Sequence, residues 1–283
     1  MSFYRNEIVK ACAEYERIGE RTMVYKIREP KAAAPFFAGW EETIIWSCLA
    51  GAMGAVYGDS EEKPESVMAL LGDFCFFAGK PHRELVSFQP EENRRDFVIM
   101  AFPDESWAEL IEACYGERAK RRERYALKKE GDIFDRERLK ETAASLPPGY
   151  TVRLLDEEMF CRCLEMPWCR DLAAQYSGYG EYENHGLGVV ILKDGEIVSG
   201  ASSYSWYPGG IEIEIDTRED FRRRGLGLVC GAKLILECLE RGWYPSWDAQ
   251  NRQSLRLAER LGYHFDRAYP VYEVFRQERT EKN

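Results

Sequence analysis

The sequence predicts an α+β fold, and three local patterns carry that prediction. Residues 211–217 alternate isoleucine with acidic or polar residues, which is typical of a strand with one buried face. Residues 228–241 place apolar side chains three and four positions apart, which is typical of an amphipathic helix. Residues 188–192 and 197–206 flank Asp194-Gly195, and Asp-Gly is a strong hairpin signal.

The chain divides into two predicted domains at a short proline-rich segment. Residues 131–145 are predicted to form a connecting helix, and residues 146–149 read Leu-Pro-Pro-Gly, which is typical of a break between domains. The predicted domains are therefore residues 1–145 and residues 150–283. A chain of 283 residues is long enough for two modest domains with cores of their own.

The N-terminal domain carries the weaker secondary-structure signals and is predicted to be a mixed α/β unit. Residues 1–29 are charged and place apolar side chains on one helical face, so they are predicted to be helical. Residues 97–102 form a compact apolar run typical of a buried strand. Residues 107–115 are predicted to form a short helix with Trp107 on its apolar side.

The second domain alternates short helices and strands around the pattern at residues 211–241. Its other predicted elements are a strand at 150–155, helices at 157–165 and 169–176, a loop at 177–184, a strand at 244–248, a helix at 251–261, and strands at 263–265 and 271–275. Asn251 is a favourable N-cap for that last helix, and Gly262 suits its C-terminal end.

The junction from Arg222 to Gly227 carries the strongest functional signal. Its glycines allow a tight turn and a close approach of the backbone to a ligand. The free amides of the first helical turn, the helix dipole and three arginines all favour a bound phosphate. A solvated basic turn that caps a helix is the plainer alternative for so short a motif. The strand before it and the helix after it favour an anion site.

The order of motifs resembles the GNAT superfamily of acetyl-CoA-dependent N-acetyltransferases. The order is strand, Arg-x-x-Gly-x-Gly, helix, strand, Asn-x-x-Ser, helix and Leu-Gly-Tyr, with the last motif at Leu261 to Tyr263. The resemblance covers residues 150–275. It implies a mostly antiparallel central sheet flanked by helices. A dinucleotide-binding fold is a poor rival, because the Gly-x-Gly-x-x-Gly motif is absent here.

The resemblance also implies where acetyl-CoA would bind. Pantetheine would contact the strand backbone, and the pyrophosphate would lie on the amides of the turn. The implied cofactor-binding residues are Ile215, Asp216, Thr217, Arg222, Arg223, Arg224, Gly225, Leu226, Gly227, Asn251 and Ser254. The implied candidates to line the acceptor pocket are Trp168, Tyr176, Tyr179 and Tyr182, although ordinary packing is the plainer interpretation of each.

Catalysis requires a base, and the acidic face of the strand offers candidates. Glu212, Glu214 and Asp216 lie on one face, about 7 Å apart in succession. If that face lines the cleft, Glu214 or Glu212 is the best candidate for the general base; an exposed acidic face is the alternative. Many members of the family carry a tyrosine acid where this chain has Ala258. Either the thiolate leaves unaided, or a residue such as Tyr263 or Tyr204 protonates it, or the domain is not catalytic.

A possible internal repeat links the two domains. Residues 110–116 and 257–263 both end a helix before a turn and a strand. We hypothesise that the N-terminal domain is a degenerate copy without a cofactor motif. Chance similarity of two common helix-turn-strand units is an equally good explanation.

Composition excludes several classes of function. The net charge of −10 argues against nucleic acid or an anionic membrane as the main partner. The basic run at residues 118–129 is predicted to be a solvated turn and edge strand. The N-terminus shows no secretory signal, and residues 44–57 are too short an apolar run to span a bilayer comfortably. Nine cysteines without metal-site spacing predict reduced thiols, a cytoplasmic location and no metal.

The predicted function is transfer of an acetyl group from acetyl-CoA to a primary amine of a small molecule or peptide. The acidic strand face favours a cationic acceptor. A non-catalytic acyl-CoA-binding or regulatory module is the alternative. Aminoacyl transfer from a charged tRNA is disfavoured by the net charge. The acceptor and the acyl length are not predicted, and a homodimer is left open.

Overall fold

The computed structural model describes residues 23–276 of the 283-residue chain. Numbered along the described part, the α-helices are α1 (Thr43–Ala50), α2 (Arg83–Ser87), α3 (Glu105–Tyr115), α4 (Arg136–Ala144), α5 (Glu157–Glu165), α6 (Tyr179–His185), α7 (Leu226–Glu240) and α8 (Arg252–Leu261). None of these helices has both the length and the apolarity that a bilayer span requires. The helix predicted over residues 1–29 lies mostly outside the described residues.

Thirteen strands in residues 23–276 form two sheets. The smaller sheet has the order β11-β10-β9-β8-β7. Its strands are β7 (Tyr150–Leu154), β8 (Gly188–Lys193), β9 (Glu196–Tyr207), β10 (Gly210–Thr217) and β11 (Tyr244–Ser246). Neighbours are antiparallel except β10 and β11, which are parallel. The mostly antiparallel sheet expected for the second half of the chain is therefore present.

The larger sheet has the order β1-β2-β3-β4-β5-β13-β6-β12. Its strands are β1 (Tyr25–Lys26), β2 (Ala55–Gly58), β3 (Ser66–Leu71), β4 (Phe74–Gly79), β5 (Phe97–Ala101), β6 (Ala119–Leu127), β12 (Asp248–Ala249) and β13 (Phe265–Phe275). Only β4 and β5 are parallel. The C-terminal strand is one continuous element, whereas the sequence predicted two, because β13 pairs along its length with β6.

The two halves of the chain share this larger sheet. Strand β13, from the end of the chain, lies between β5 and β6 of the first half. Strand β12 also comes from the second half and pairs with β6 at Tyr125 and Ala126. In each half, four successive strands pair antiparallel (β1–β4 and β7–β10), and a fifth strand pairs parallel to the fourth (β5 and β11). A helix and a last strand then follow (α3 and β6 in the first half, α8 and β13 in the second), and the two last strands pair with each other. The tandem hypothesis and the division at residues 145–150 both stay predictions.

Helix α7 fixes the direction in which β10 presents its side chains. The isoleucines of β10, Ile211 and Ile213, belong to the same buried cluster as the apolar face of α7. A Cβ added at Gly231 of α7 would lie 2.7 Å from Leu261 Cδ1 and 3.1 Å from Ile215 Cδ1. Glycine therefore lets α7 pack closely against β10 and α8. Because side chains alternate along a strand, the acidic face of β10 points the other way, toward the first half.

The first half contains a split between parallel strands that is filled by a side chain. Strand β4 pairs with β5 only through Phe74 to Phe76, and β5 ends at Ala101. Beyond that point the Trp107 ring stacks on Phe77 with ring centroids 4.9 Å apart. Its indole N–H donates to the Gly79 carbonyl at 3.0 Å. The indole therefore occupies the space that the diverging strands leave.

Replacing Trp107 tests this packing. Trp107→Ala is expected to lower the free energy of unfolding by about 3–5 kcal/mol, since Trp107 is fully buried and the change leaves a cavity. Trp107→Phe keeps a ring on Phe77 and loses the hydrogen bond to Gly79, so we expect a loss of about 1–2 kcal/mol. Urea unfolding followed by circular dichroism measures both. Equal stability of wild type and Trp107→Ala would contradict the assigned role.

Candidate functional site

A cleft opens where β10 and β11 diverge. The two strands pair only from Gly210 to Glu212. After Ser246 the chain leaves this sheet and joins β6 of the larger sheet. Residues 213–217 of β10 consequently have no partner strand on this side, so their backbone groups can bind a ligand. The register between β10 and β9 shifts between Glu212 and Ile213, at the apex of the cleft.

The turn from Arg222 to Gly227 closes the outer end of this cleft. Arg223 has φ 61° and Gly225 has φ 81°, and helix α7 begins directly afterwards at Leu226. An arginine in the left-handed region is uncommon and is under conformational strain. The turn presents the unpaired amides at the start of a helix of 15 residues. Such an arrangement favours a phosphate group.

A cavity of about 580 Å³ extends from the β10 edge to this turn and to α8. All the residues predicted to bind the cofactor line it except Arg224. The Arg224 side chain folds back, where its guanidinium donates to the Asp220 carbonyl at 2.8 Å and lies 4.7 Å from the centroid of the Phe221 ring. Arg224 therefore braces the turn, whereas Arg222 and Arg223 face the cavity.

Two of these arginines keep their charge available. Among the described residues, the Arg222 side chain donates to the Thr217 carbonyl at 3.2 Å and makes no ion pair, although its charge opposes the raised pKa of Asp216. Arg223 is exposed and makes neither a hydrogen bond nor an ion pair with residues in the described range. Both can therefore pair with an anion without first giving up an acidic partner.

Helix α8 supplies the opposite wall. Asn251 is its N-cap, as predicted, and its side-chain oxygen accepts from the amides of Gln253 and Ser254, each at 2.9 Å. Arg256 and Arg260 also line the cavity. Arg256 and Arg260 were not predicted as site residues, although a spacing of four places them on one helical face.

Exchanging neighbouring arginines of the turn tests the anion site. Arg223→Gln is expected to weaken binding of acetyl-CoA, the ligand that the sequence resemblance implies, about tenfold, because a charge-assisted contact is lost. Arg224→Gln is the matched control and should change the dissociation constant less than about twofold. The difference should shrink at high ionic strength, since exposed charges are screened. Calorimetric titration at two salt concentrations measures this, and equal losses for both variants would contradict the assignment.

The acidic face of β10 is turned toward the first half of the chain. Glu212 is 6% exposed, and the Thr43 hydroxyl at the start of α1 donates to its carboxylate. Burial raises the pKa of Glu212, and Lys129 opposes that rise. Glu214 and Asp216 are half-buried, and neither side chain has a hydrogen bond or ion pair among residues 23–276. The alternative of an exposed acidic face is therefore wrong for this strand.

Carboxylates from three elements surround Glu214. Burial, followed by repulsion from Asp216, Asp171 and Asp73, raises the pKa of Glu214 well above its ordinary value, and Arg124 opposes this. Burial and Asp171 raise the pKa of Asp216 to about 6. A carboxylate with such a pKa can accept a proton near neutral pH. This face of β10 therefore holds groups suited to acid–base chemistry.

Close packing brings Asp171 to this face. Gly200 of β9 is the register partner of Asp216. A Cβ at Gly200 would lie 2.5 Å from Leu172 Cδ1, so glycine leaves room for the buried Leu172 side chain and for the 3₁₀ turn Arg170–Leu172 beside the strand. The described residues contain no cluster of histidine, cysteine, aspartate or glutamate that could hold a metal ion.

A buried ion pair of the larger sheet lies near the acidic face of β10, since Arg124 opposes the raised pKa of Glu214 and Asp248 adds to that of Glu212. Arg124 Nε lies 2.6 Å from Asp248 Oδ1, and both side chains are largely buried. Tyr269 donates to Asp248 Oδ2 at 3.0 Å, and the Arg124 guanidinium lies 4.8 Å from the centroid of the Phe74 ring. These residues belong to β6, β12, β13 and β4, so both halves of the chain contribute to the surroundings of the acidic face of β10.

Comparison with known proteins identifies the family. A family model described as GNAT acetyltransferase matches residues 34–272. The chain belongs to the GNAT acetyltransferase family. It is 24% identical over 245 residues to the uncharacterized N-acetyltransferase YdfB of Bacillus subtilis, which covers 81% of this chain and 89% of that protein. This GNAT protein is an acyltransferase with N-acetyltransferase activity.

A solved structure extends the match to the arrangement of the fold. The GCN5-related N-acetyltransferase-like protein of Streptococcus suis superposes with a TM-score of 0.82 at 44% identity. The alignment covers 87% of this GNAT chain and 98% of that one. An alignment over 87% of the chain includes residues of both halves.

In this GNAT enzyme, the hydroxyl groups of Tyr263 and Tyr204, the two candidate general acids, already donate hydrogen bonds to other residues. Ala258, at the position where a tyrosine is usual, is fully buried. Tyr263 donates to the Pro245 carbonyl at 2.5 Å. Tyr204 donates to the Asp73 carboxylate. Burial raises the pKa of both tyrosines well above the ordinary range, so both phenols are weak acids.

The predicted acceptor aromatics pack mainly among themselves. Tyr176 and Tyr182 are buried, and their hydroxyls bond Ser203 at 2.7 Å and Ser202 at 2.9 Å. Tyr179 and Tyr182 lie on helix α6, where a loop was predicted, and the helix predicted at 169–176 is only a short 3₁₀ turn. A role for these rings in binding an acceptor stays a prediction.

Proposed function

We propose that this GNAT enzyme transfers the acetyl group of acetyl-CoA to a primary amine of a small molecule or peptide. The observation that carries the proposal is the continuous cavity between the unpaired β10 edge and the turn from Arg222 to Gly227. It combines free strand backbone with an anion site, which suits an amide-rich arm attached to a pyrophosphate.

The residues fit each part of acetyl-CoA. The pyrophosphate would lie on the amides from Arg224 to Gly227, with Arg222 and Arg223 as counter-ions. Pantetheine would bond the β10 backbone at residues 215–217 and continue toward the apex near Glu212. From Thr217 to Glu212 the strand extends about 17 Å, so the arm brings its thioester to the acidic face. Holding thioester and amine together provides much of the rate enhancement.

Glu214 is the proposed general base. It is half-buried, has no partner among the described residues and has a raised pKa, so it can accept a proton from an ammonium group. Glu212 is the second candidate, but it is buried and already bonded to Thr43. The surrounding carboxylates favour an acceptor that carries positive charge.

The thiolate is proposed to leave without a tyrosine acid. The two tyrosines considered for that role donate elsewhere, and an ordinary thiol with a pKa of about 8.5 is a good leaving group near neutral pH. The proton that balances the charge can reach the sulfur from the nitrogen of the tetrahedral intermediate.

Thiol release from acetyl-CoA tests the proposed reaction. The purified chain is incubated with acetyl-CoA and, separately, spermidine, lysine methyl ester, glucosamine and kanamycin, with an amine-free sample as the control for hydrolysis. We expect amine-dependent release of CoA and a singly acetylated product by mass spectrometry. Tight acetyl-CoA binding without release with any amine would favour a module that binds the cofactor only.

A further inference from the structure

A small cavity lies beside Glu212 on the acidic face of β10, between the two halves of the chain. Its volume is about 20 Å³, which suits one water molecule. The charged and hydroxyl side chains around it are Glu41, Glu42, Thr43, Lys129, Glu212, Asp248, Arg267 and Tyr269. It is separate from the large cavity that runs along the β10 edge.

Glu42, directly before α1, has an unsatisfied oxygen at this cavity. The residue is only 7% exposed. Its Oε1 accepts from Arg267 at 2.7 Å, whereas its Oε2 is buried and has no partner in the described part of the chain. Leaving such an oxygen unbonded is costly, so a donor inside the cavity is expected. One water molecule meets this need and fits the volume.

Glu212 faces the same cavity from β10. Thr43, the residue after Glu42, donates to Glu212, so the start of α1 contacts both carboxyl groups. Burial raises the pKa of Glu42 and of Glu212, and Asp248 raises both further. Lys129 opposes the rise at both groups, and Arg267 opposes it at Glu42. Each carboxyl can therefore hold a proton at a higher pH than an exposed glutamate.

We propose that Glu212, one cavity water and Glu42 form a proton exit from the reaction centre through the first half of the chain. This inference rests on the proposed function. An acceptor amine bound at Glu214 covers this half-buried carboxylate, so the proton that it gives up needs another route to solvent. The exit runs from the acidic face of β10 into the small cavity, away from the large cavity assigned to the cofactor. At its far end Glu41 is exposed and the Arg267 side chain is 42% exposed.

Each proton that the acceptor nitrogen loses has a defined destination. An ammonium acceptor gives one proton to Glu214 before attack, and the nitrogen then forms a bond to the thioester carbon. The carbon–sulfur bond breaks, and the second nitrogen proton neutralises the thiolate. The first proton leaves Glu214 through a water that bridges the roughly 7 Å to Glu212, and it then passes from Glu212 through the cavity water to Glu42 and to solvent. Glu42 is therefore a positioning and relay residue, because it does not touch the reacting atoms.

A high-resolution crystal structure of the full chain tests the link without any acceptor. We expect one ordered water within hydrogen-bonding distance of both Glu42 Oε2 and a Glu212 carboxylate oxygen. An empty cavity, or a water that contacts Glu42 alone, would overturn the proposal. Failure of the amine screen would count against the proposed function and would leave this crystallographic result intact, so the two failures are distinguishable.

Kinetics with the best acceptor of the amine panel test the relay. Glu42→Gln keeps an oxygen for Arg267 and removes the proton acceptor. We expect kcat to fall by about tenfold or more, with an unchanged KM for acetyl-CoA and a larger solvent deuterium isotope effect. Asp266→Asn is the matched control, because Asp266 pairs with the same Arg267 at 2.7 Å and lies outside the cavity.

Two measurements separate the relay from a purely structural role. Thermal unfolding and acetyl-CoA titration of Glu42→Gln should show a folded protein with wild-type affinity. Glu42→Asp retains a carboxylate and should recover part of the lost kcat. Equal kcat values and isotope effects for Glu42→Gln and Asp266→Asn would overturn the relay.

Discussion

We expect Gly227→Trp to abolish acetyl-CoA binding, with at least a hundredfold loss of affinity. Gly227 lies on the first turn of α7 and lines the large cavity. A Cβ there would lie 3.5 Å from both Ile215 Cγ2 and Thr217 Oγ1, which is ordinary contact. The backbone therefore tolerates a side chain, but an indole would occupy the space assigned to the cofactor.

Gly227→Ala is the matched control for that substitution. Its methyl group fits the contacts at Gly227, so acetyl-CoA affinity should stay within about threefold of wild type, and alanine also suits a helix. Circular dichroism and urea unfolding of both variants should show that the sheets remain folded. A Gly227→Trp protein that binds acetyl-CoA as tightly as Gly227→Ala would contradict the assignment of the cavity.

Glu214→Gln is expected to lower kcat by about a hundredfold or more, which is the usual contribution of a general base. The cofactor affinity should change little, because Glu214 does not line the large cavity. Burial and neighbouring carboxylates raise the pKa of Glu214, so its basic form is lost as the pH falls through that raised value. The wild-type kcat should therefore rise with pH through this range, and the glutamine variant should lack this rise.

Glu219→Gln provides a control with the same chemical change in an exposed residue just beyond β10. It should leave the pH–rate profile of kcat as in wild type. Glu212→Gln separates the two candidate bases. If the rise of kcat with pH persists in Glu214→Gln and disappears in Glu212→Gln, then Glu212 accepts the proton and Glu214 does not.

Local patterns predicted the elements that hold the cofactor cavity. The alternation at residues 211–217 predicted β10, and the helical spacing at 228–241 predicted α7. The N-cap at Asn251 and the glycine at 262 predicted the bounds of α8. These signals lie within one element or one turn, where backbone preference and side-chain spacing suffice.

Contacts between distant elements could not be predicted in this way. Asp73, Arg124 and Asp171 approach Glu214 from segments far away in sequence, and their positions depend on how the sheets pack. The position of β13 between β5 and β6 has no local signature in the sequence, because an isolated strand does not specify its partner.

Helix α6 shows how tertiary packing overrode a local preference. Gly178 and Gly180 favoured a loop at residues 177–184. In the structure, Tyr182 is buried with its ring 5.1 Å from Phe160 and 4.9 Å from Tyr176, measured between centroids. Burial of this ring compensates for the weak helical propensity of the segment.

Calorimetric titration of the wild-type chain with acetyl-CoA tests the central claim most directly. The open cleft between β10 and β11, and the Trp107 side chain in the corresponding split of the first half, predict one binding site per chain. We expect micromolar affinity with a stoichiometry of one. Absence of binding would contradict the assignment of the cavity, and two sites per chain would contradict the account of the first half.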